Sequence, residues 1–575
     1  HNARRARRQF DLRSEIDDIA RVCRLLAGSP LGLELAAALA STHSCAQIAD
    51  DIARGLDALS ATWRDMPERH RSLRAVFEHS WRLLTPDEQR AFRRLSIFRG
   101  GFTFEAARPV AGLAQATLEA LAAKSLLRRI DDEAGAPRYD IHEILLHYAA
   151  EMLDADAVER EHARARHAGY YADFLREQEK RFNTSTVGEA LAAIRREIDN
   201  VRAAWLHLSA QRDLEKMGWA MAALHKFYEA QNWFQEGSDL FEQARAALAP
   251  RADSLPAAER AAWGRLHTHQ AGLLLRLGRI QQARQMAETS VSALRARDDA
   301  DGLASALNVA GATLIYTGEF GAARSHFEES LALYRQLDNR QQMVKALANL
   351  GNVAGRAGDY ADAIAVLKEG LAICREIGDR RGVAFFLNNL GTAHLMQGNL
   401  ADAKATFTEC LPVCDETHNE YVKMVVLQNL GEIHLKEKDY EQARALCEES
   451  AALARRLDSI ANLARILKLL AVAALEQNEM ESARSHVREG LRAAQDSRSA
   501  VALLDVLEGA ALWLIRQSQP ERAAQALALL AHHPATEQHT RENASRLLAE
   551  LGATERAEER TLEAVVEALL QEMKE

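Results

Sequence analysis

Cysteine, proline and glycine are all scarce in this chain, and no apolar run is long. The six cysteines among 575 residues stand at 23, 45, 374, 410, 414 and 447, with no CxxC pair and no disulfide-like framework. That excludes a small disulfide-stapled secreted scaffold and points to a reducing, cytoplasmic setting. Ten prolines and thirty glycines, in a composition that is 48% hydrophobic, leave helices free to run nearly throughout. No apolar stretch approaches the roughly 18 residues that span a bilayer, and no apolar segment follows Arg4, Arg5, Arg7 and Arg8, so neither a membrane helix nor a signal peptide is expected. Positive charge is short as well. The net charge of −10 argues against a broad phosphate-binding face and against nucleic acid as the main partner, and the arginines at the start read as a solvated linker. The chain begins with His1 rather than Met, which reads as a fragment or a processed product.

Catalytic signatures are absent too. The sequence contains no GxxxxGK[ST] phosphate loop and no acidic magnesium-binding strand to accompany one. No Ser-His-Asp, Cys-His or paired-carboxylate grouping sits in a recognisable active-site context. The expectation is therefore a chain that is not itself an enzyme, with no catalytic residue, no metal and no cofactor of its own.

What is present is repetition. Gly278, Gly318, Gly358, Gly398, Lys438, Asn478 and Ser518 occupy one slot at a spacing of 40 residues, and an alanine follows each by five, from Ala283 to Ala523. A fixed period of this size means stacked supersecondary units rather than one globular core. Seven units follow, starting at 264, 304, 344, 384, 424, 464 and 504. Each reads as two antiparallel helices, A and B. A small residue at the eighth position (Ala271, Gly311, Gly351, Gly391, Gly431, Ala471, Ala511) lets the paired helix approach. Leu347, Leu387, Leu427 and Leu467 supply the apolar stripe of helix A, and Phe327, Leu367 and Phe407 that of helix B.

Small residues at positions 8, 20 and 27 with a large apolar residue at 24 resemble the tetratricopeptide repeat. The period of 40 exceeds the usual 34 or so, so longer second helices are expected. The resemblance implies a right-handed superhelix with a concave groove lined by the A helices. Asn349, Asn389 and Asn429 recur at the sixth position of three successive units. Amides carry donors and acceptors, so such a ladder can pair with the backbone of an extended peptide. It can equally bond a neighbouring helix and fix the repeat spacing, and both readings stand. Cys410, Cys414 and His418 fall at i, i+4 and i+8, but Cys410 and Cys414 fill packing slots of the repeat, so a metal site is not expected.

Upstream, Thr85-Pro86-Asp87-Glu88 has the form of a capping box with proline in the first turn. A second cap stands at Thr103, and a third helix ends near Lys124. Residues 125–130 and 138–141 read as strands flanking a wing at 131–137. Three helices and a hairpin make a winged-helix domain. The run from His79-Ser80-Trp81 to Phe98-Arg99-Gly100-Gly101-Phe102 resembles the winged helix of signal-transduction ATPases with numerous domains, the STAND class. Gly28-Ser29-Pro30 resembles the Gly-x-Pro motif of their helical subdomain. Asp199-Asn200-Val201-Arg202 resembles the connector before their repeats.

The resemblance implies five parts: a helical-subdomain remnant at 1–66, a winged helix at 67–155, a helical connector at 156–263, seven repeats at 264–543 and capping helices at 544–575. It implies that Gly28 and Pro30 border an adenine, and that His142 in Ile141-His142-Glu143 reaches the phosphate of ADP in the full-length parent. Read from the residues alone, Pro30 starts a helix and His142 caps one. The function implied is the sensor region of an ATP- or ADP-controlled switch. Its repeats would take up a protein, peptide or small-molecule inducer, act on upstream NTPase and effector domains, and favour homo-oligomerisation. A plain protein scaffold and a DNA-reading winged helix are the alternatives.

Overall fold

The computed structural model describes residues 15–25, 33, 36–37, 43–54, 81–130, 137–182, 186–248, 256–295, 299–497, 499–536, 538–552 and 561–573. The chain forms two compact units, residues 1–309 and 310–575. Apart from one three-stranded sheet, the elements described are all helical, so the fold is all-α as expected.

The first unit opens with α1 (Ile16–Leu25) and α2 (Cys45–Arg54). The winged helix follows as α3 (Pro86–Leu95), β1 (Phe102–Thr103), α4 (Phe104–Ala111), α5 (Gln115–Ala123), β2 (Arg128–Ile130) and β3 (Arg138–Asp140). Both caps form as expected: Thr85 and Glu88 close a full capping box on α3, and the Thr103 side chain accepts from Ala106 N on α4. The Glu88 carboxylate also takes Lys124 Nζ at 2.7 Å, and that bond first, then the Thr85 N–H, holds its pKa below the usual value.

The hairpin arms are shorter than expected. The left-handed Ser125 (φ 58°) delays the first arm to Arg128. A third strand, β1, pairs with the free edge of β3, Phe102 opposite Tyr139. Two residues offer no alternation to read. The signal for β1 lies instead in Gly100-Gly101, both at positive φ, where a Cβ on Gly101 would stand 2.9 Å from Tyr139 O.

The connector comprises α6 (Glu143–Asp154), α7 (Ala157–Arg181), α8 (Val187–Arg196), α9 (Ile198–Gln211), α10 (Leu214–Ala230) and α11 (Phe234–Leu248). Its core runs through Tyr171, Trp205, Phe227 and Phe241, all buried, and is continuous with Phe92, Leu95 and Phe102 of the winged helix. The first repeat helices, α12 (Ala257–Arg276) and α13 (Ile280–Arg295), pack in this unit. The helix α14 (Ala300–Tyr316) crosses the division between units.

The second unit stacks α15 (Phe320–Gln336), α16 (Arg340–Ala357), α17 (Tyr360–Ile377), α18 (Arg380–Met396), α19 (Leu400–Thr417), α20 (Glu420–Lys436), α21 (Tyr440–Arg456), α22 (Ile460–Glu476), α23 (Met480–Asp496), α24 (Ala500–Arg516) and α25 (Pro520–His532). It closes with α26 (Gln538–Glu550) and α27 (Leu562–Glu572), whose Leu548, Val566 and Leu569 cover the apolar end of the stack. The eighth-position rule holds in atomic terms. A Cβ on Gly311, Gly351 or Gly391 would stand 2.7, 2.7 or 2.6 Å from the position-24 side chain, Phe327, Leu367 or Phe407. At that range something must shift, so these glycines set the spacing between helices A and B.

The recurring slot between helices A and B is left-handed in all seven units, from Gly278 (φ 72°) to Ser518 (φ 58°). A second left-handed slot, between one unit and the next, holds Asp338, Gly378, His418 and Asp458. His418 is therefore the C-cap beyond α19, one slot with Gly378, and does not lie on the helix that carries Cys410 and Cys414. Cys410 Sγ donates to Ala384 O at 3.3 Å, as Ser450 Oγ donates to Met424 O and Ser290 Oγ to Gly264 O. The thiol fills a hydroxyl's place in the repeat. The helix A caps also recur: Asn339, Asp379 and Asn419 each accept from the backbone N–H three residues on.

Candidate ligand-binding face

Successive A helices of the second unit, α16, α18, α20, α22 and α24, touch their neighbours, and α22 and α24 pack together most extensively. On each, positions 2, 5, 9 and 13 of the unit fall at spacings of three and four and so share one face. On α18 this stripe is Phe385, Asn388, Thr392 and Met396; on α20 it is Val425, Gln428, Glu432 and Lys436.

The chemistry of the stripe changes along the stack. Between α22 and α24 it is ionic and internally paired. Arg465 meets Asp505 at 2.9 Å, Lys468 meets Glu508 at 3.1 Å, and Arg516 meets Glu476 at 2.6 Å. Asn543 of α26 adds a bond to Glu508 at 2.5 Å. Burial works against the Lys468 ammonium, but Glu508 and Asp505 outweigh it and hold its pKa above the ordinary lysine value.

On α18 the stripe is neutral, and on α20 it is neutral at positions 2 and 5 while Glu432 and Lys436 pair with each other at 2.8 Å; in both helices position 5 is incompletely paired. Gln428 is buried, and its Oε1 has no hydrogen-bond partner; nor does the buried Oδ1 of Asn388. Asn388 Nδ2 donates to Asn389 Oδ1 at 3.2 Å. Phe385 and Met396, at the two ends of the α18 stripe, are 43% and 51% exposed, large apolar side chains left facing solvent.

The sixth-position amides lie beside this stripe. Asn349 and Asn389 are half-buried and Asn429 is buried, each at the same place on successive touching helices. The position-5 amides Asn388 and Gln428 were not singled out from sequence, although the doublets Asn388-Asn389 and Gln428-Asn429 display them. The signal overlooked was that position 5, not position 6, shares a face with the charged residues of α22 and α24.

In the first unit, His142 directly precedes α6, and its carbonyl accepts Leu146 N at 2.8 Å, the backbone role of an N-cap. Burial, then the nearby Arg128 charge, lower its pKa against the pull of Glu143 and Asp140, so the imidazole stays neutral near pH 7. Gly28 and Pro30 lie outside the described residues.

Two motifs far apart in the chain meet here. Asn200 on α9 accepts Arg99 N on Oδ1 at 2.7 Å and donates through Nδ2 to Gly101 O and Glu197 Oε2, both at 2.9 Å. Glu197 in turn pairs with Arg138 of β3 and accepts Tyr171 OH at 2.7 Å. Asn200 is fully buried, so this polar knot fixes the Arg99–Gly101 turn of the winged helix to the connector with its amide saturated. His167 completes it, 3.3 Å from Asn200 Oδ1 and edge-on to Phe98.

Comparison with known proteins places these features. A family model described as the MalT-like TPR region matches residues 304–575, and one described as the tetratricopeptide repeat matches residues 264–336. Proteins of Mycobacterium bovis and Mycobacterium tuberculosis, provisionally named HTH-type transcriptional regulators, are 37% identical over 199 residues, covering 32% of this chain and 22% of theirs. The chain thus spans about a fifth of the length of these curated relatives. A crystal structure of a STAND protein with a tetratricopeptide repeat sensor, from Pyrococcus horikoshii, aligns over 99% of this chain and 73% of its own, with a TM-score of 0.59 and 13% identity. Residues 264–575 are therefore a tetratricopeptide-repeat region, and the chain shares its fold with a STAND protein that carries such a sensor.

Proposed function

We propose that this chain is the sensor and relay region of a STAND-type signalling protein, and that the α16–α20 face takes up an extended polypeptide. The observation that carries this reading is the pair of buried amide oxygens on Asn388 and Gln428 that lack a donor. Each costs about 1–3 kcal/mol while unpaired, and a backbone N–H from a ligand, met by a small side-chain rotation, relieves that cost. Phe385 and Met396 on the α18 stripe would cover apolar groups of the same ligand.

The saturated Asn200 knot supports a relay in which winged helix and connector move as one body. In the full-length parent, Gly28, Pro30 and His142 would border bound ADP or ATP. A neutral imidazole N–H beside the Arg128 guanidinium suits the edge of a phosphate site. Ligand capture would shift that parent toward a self-associating form, by no more than the difference in ligand affinity between its two states. A DNA-reading role would require the exposed side of α5 to meet phosphates, and Gln115–Ala123 contains no lysine or arginine.

A phage-displayed library of random decapeptides, selected on the 575-residue chain, tests the proposal. Enriched peptides should bind an Asn388→Ala, Gln428→Met double variant, which removes both unpaired oxygens, at least about tenfold more weakly, with helix content preserved. Failure to enrich any peptide, or undiminished binding to the double variant, would overturn the polypeptide reading.

A further inference from the structure

The turn after α3 and the helices α6, α7 and α9 enclose a cavity of about 430 Å³ in the first unit. This is within the range of small-molecule sites, roughly 300–1,000 Å³. Its lining includes the apolar side chains of Ile97, Leu153 and Leu206. The lining also carries Arg99, Arg160 and Arg164.

The balance of charge is one-sided. The only carboxylate on the lining is Asp154, 3.2 Å from Arg160, so three cations face one anion. His207, also on the lining, has its own acid, Glu161, at 3.5 Å. Among the described residues no acid pairs with Arg99 or Arg164, and Arg99 spends its bonds on the Ser96 and Phe98 carbonyls. Arg160 Nε is buried with no acceptor. Gathering like charges in a half-closed cavity is unfavourable unless an anion joins them.

We propose that this cavity binds a phosphomonoester with an aromatic or apolar body. Its phosphate meets Arg99, Arg160 and Arg164, and its body lies against Leu153 and Leu206. Two surplus positive charges match a phosphate dianion better than a carboxylate, and guanidinium forks suit its oxygens. The cavity backs onto the Asn200 knot through Arg99 and His167, so a bound ligand would bridge the winged-helix turn to α7 and α9 and tighten their union. This site is separate from the His142 edge, which does not line the cavity.

Calorimetry and thermal melting of the 575-residue chain with 1-naphthyl phosphate provide the test, with inorganic phosphate and 1-naphthol as the two halves of the probe. One saturable site is expected, with each half binding at least about tenfold more weakly and added salt weakening the whole. Arg164 is exposed, so Arg164→Glu leaves folding intact and should lower affinity about tenfold or more. Three results would each overturn the proposal: no saturable binding at millimolar probe, equal affinity for inorganic phosphate alone, or equal affinity in wild type and both Arg164→Glu and Arg99→Gln.

Discussion

Two stretches of one repeat stack use the same positions to opposite ends. On α22 and α24 the stripe at positions 2, 5 and 13 is spent on itself, with three ion pairs joining neighbouring A helices. On α18 and α20 the same stripe keeps amide oxygens without donors and leaves Phe385 and Met396 in solvent. A 40-residue frame dictates where side chains go and leaves open what they do there. Stability is concentrated at one end of the face, and unspent bonding capacity in the middle. The backbone slots divide one unit earlier: the turn between helices A and B holds Gly358 and Gly398 after α16 and α18, but Lys438 after α20, then Asn478 and Ser518, all left-handed.

The largest expected effect comes from breaking the ionic half. Glu508→Ala leaves the Lys468 ammonium buried without its nearest acid and should destabilise the second unit by about 3–5 kcal/mol. Adding Lys468→Met should return most of the loss, because the pair then leaves together. Denaturant unfolding of the single and double variants measures both, with hydrogen exchange locating the change at α22 and α24. Asn388→Ala, at the same position of the amide half, should cost well under that. Equal losses would dissolve the contrast.

The same pair should respond to alkali. Below about pH 10.4, the ordinary lysine value, folded and unfolded chains both keep the proton and the pair contributes fully. Above it the unfolded chain releases its proton first, while Glu508 and Asp505 hold the folded pKa higher. Stability contributed by Lys468 therefore falls as pH rises through this window and is lost once the folded lysine deprotonates. Exchange-measured opening of α22 should rise there more steeply in wild type than in the Lys468→Met, Glu508→Leu variant. A parallel response would remove Lys468 as the cause.

A smaller effect belongs to the turn slots. Gly398→Ala meets no atom within 4 Å, so its cost is backbone strain alone, about 1 kcal/mol. Lys438→Gly and Ser518→Gly should run the other way and raise the melting temperature, since the native φ is already positive at both. Destabilisation by those two changes would mean that the side chains repay the strain through contacts of their own.

The repeat frame was legible because its determinants are local and periodic: a left-handed turn, a small residue at position 8, a large one at position 24. The capping box at Thr85 and the N-cap at Thr103 were legible for the same reason. Strand β1 was not, because Phe102 and Thr103 become a strand only when β3 offers an edge 36 residues later. The Asn200 knot was half visible: Arg99-Gly100-Gly101 and Asp199-Asn200 each stood out as motifs, but their meeting depends on α7 and α9 packing behind the winged helix. The cationic cavity left no periodic trace, since Arg99, Arg160 and Arg164 come from two elements and only folding gathers them. Asn349, Asn389 and Asn429 were visible through their spacing, whereas their burial, set by neighbouring helices, was not.

The smallest effect is the most discriminating. Gln428 is buried with its Oε1 unpaired, so replacing it by methionine, of similar length and without the amide, removes a desolvated acceptor and keeps the volume. If the amide is held in reserve for a ligand, Gln428→Met should stabilise the second unit by up to about 1 kcal/mol and weaken any peptide selected on the wild-type face. If the amide serves the repeat itself, the same change should lower stability and leave peptide affinity alone. Thermal melts and peptide titrations on one variant thus separate the readings by opposite signs in two measurements. The ionic half has no counterpart to this behaviour: no substitution at Lys468 or Glu508 alone should gain stability, because each already has the partner that Gln428 lacks.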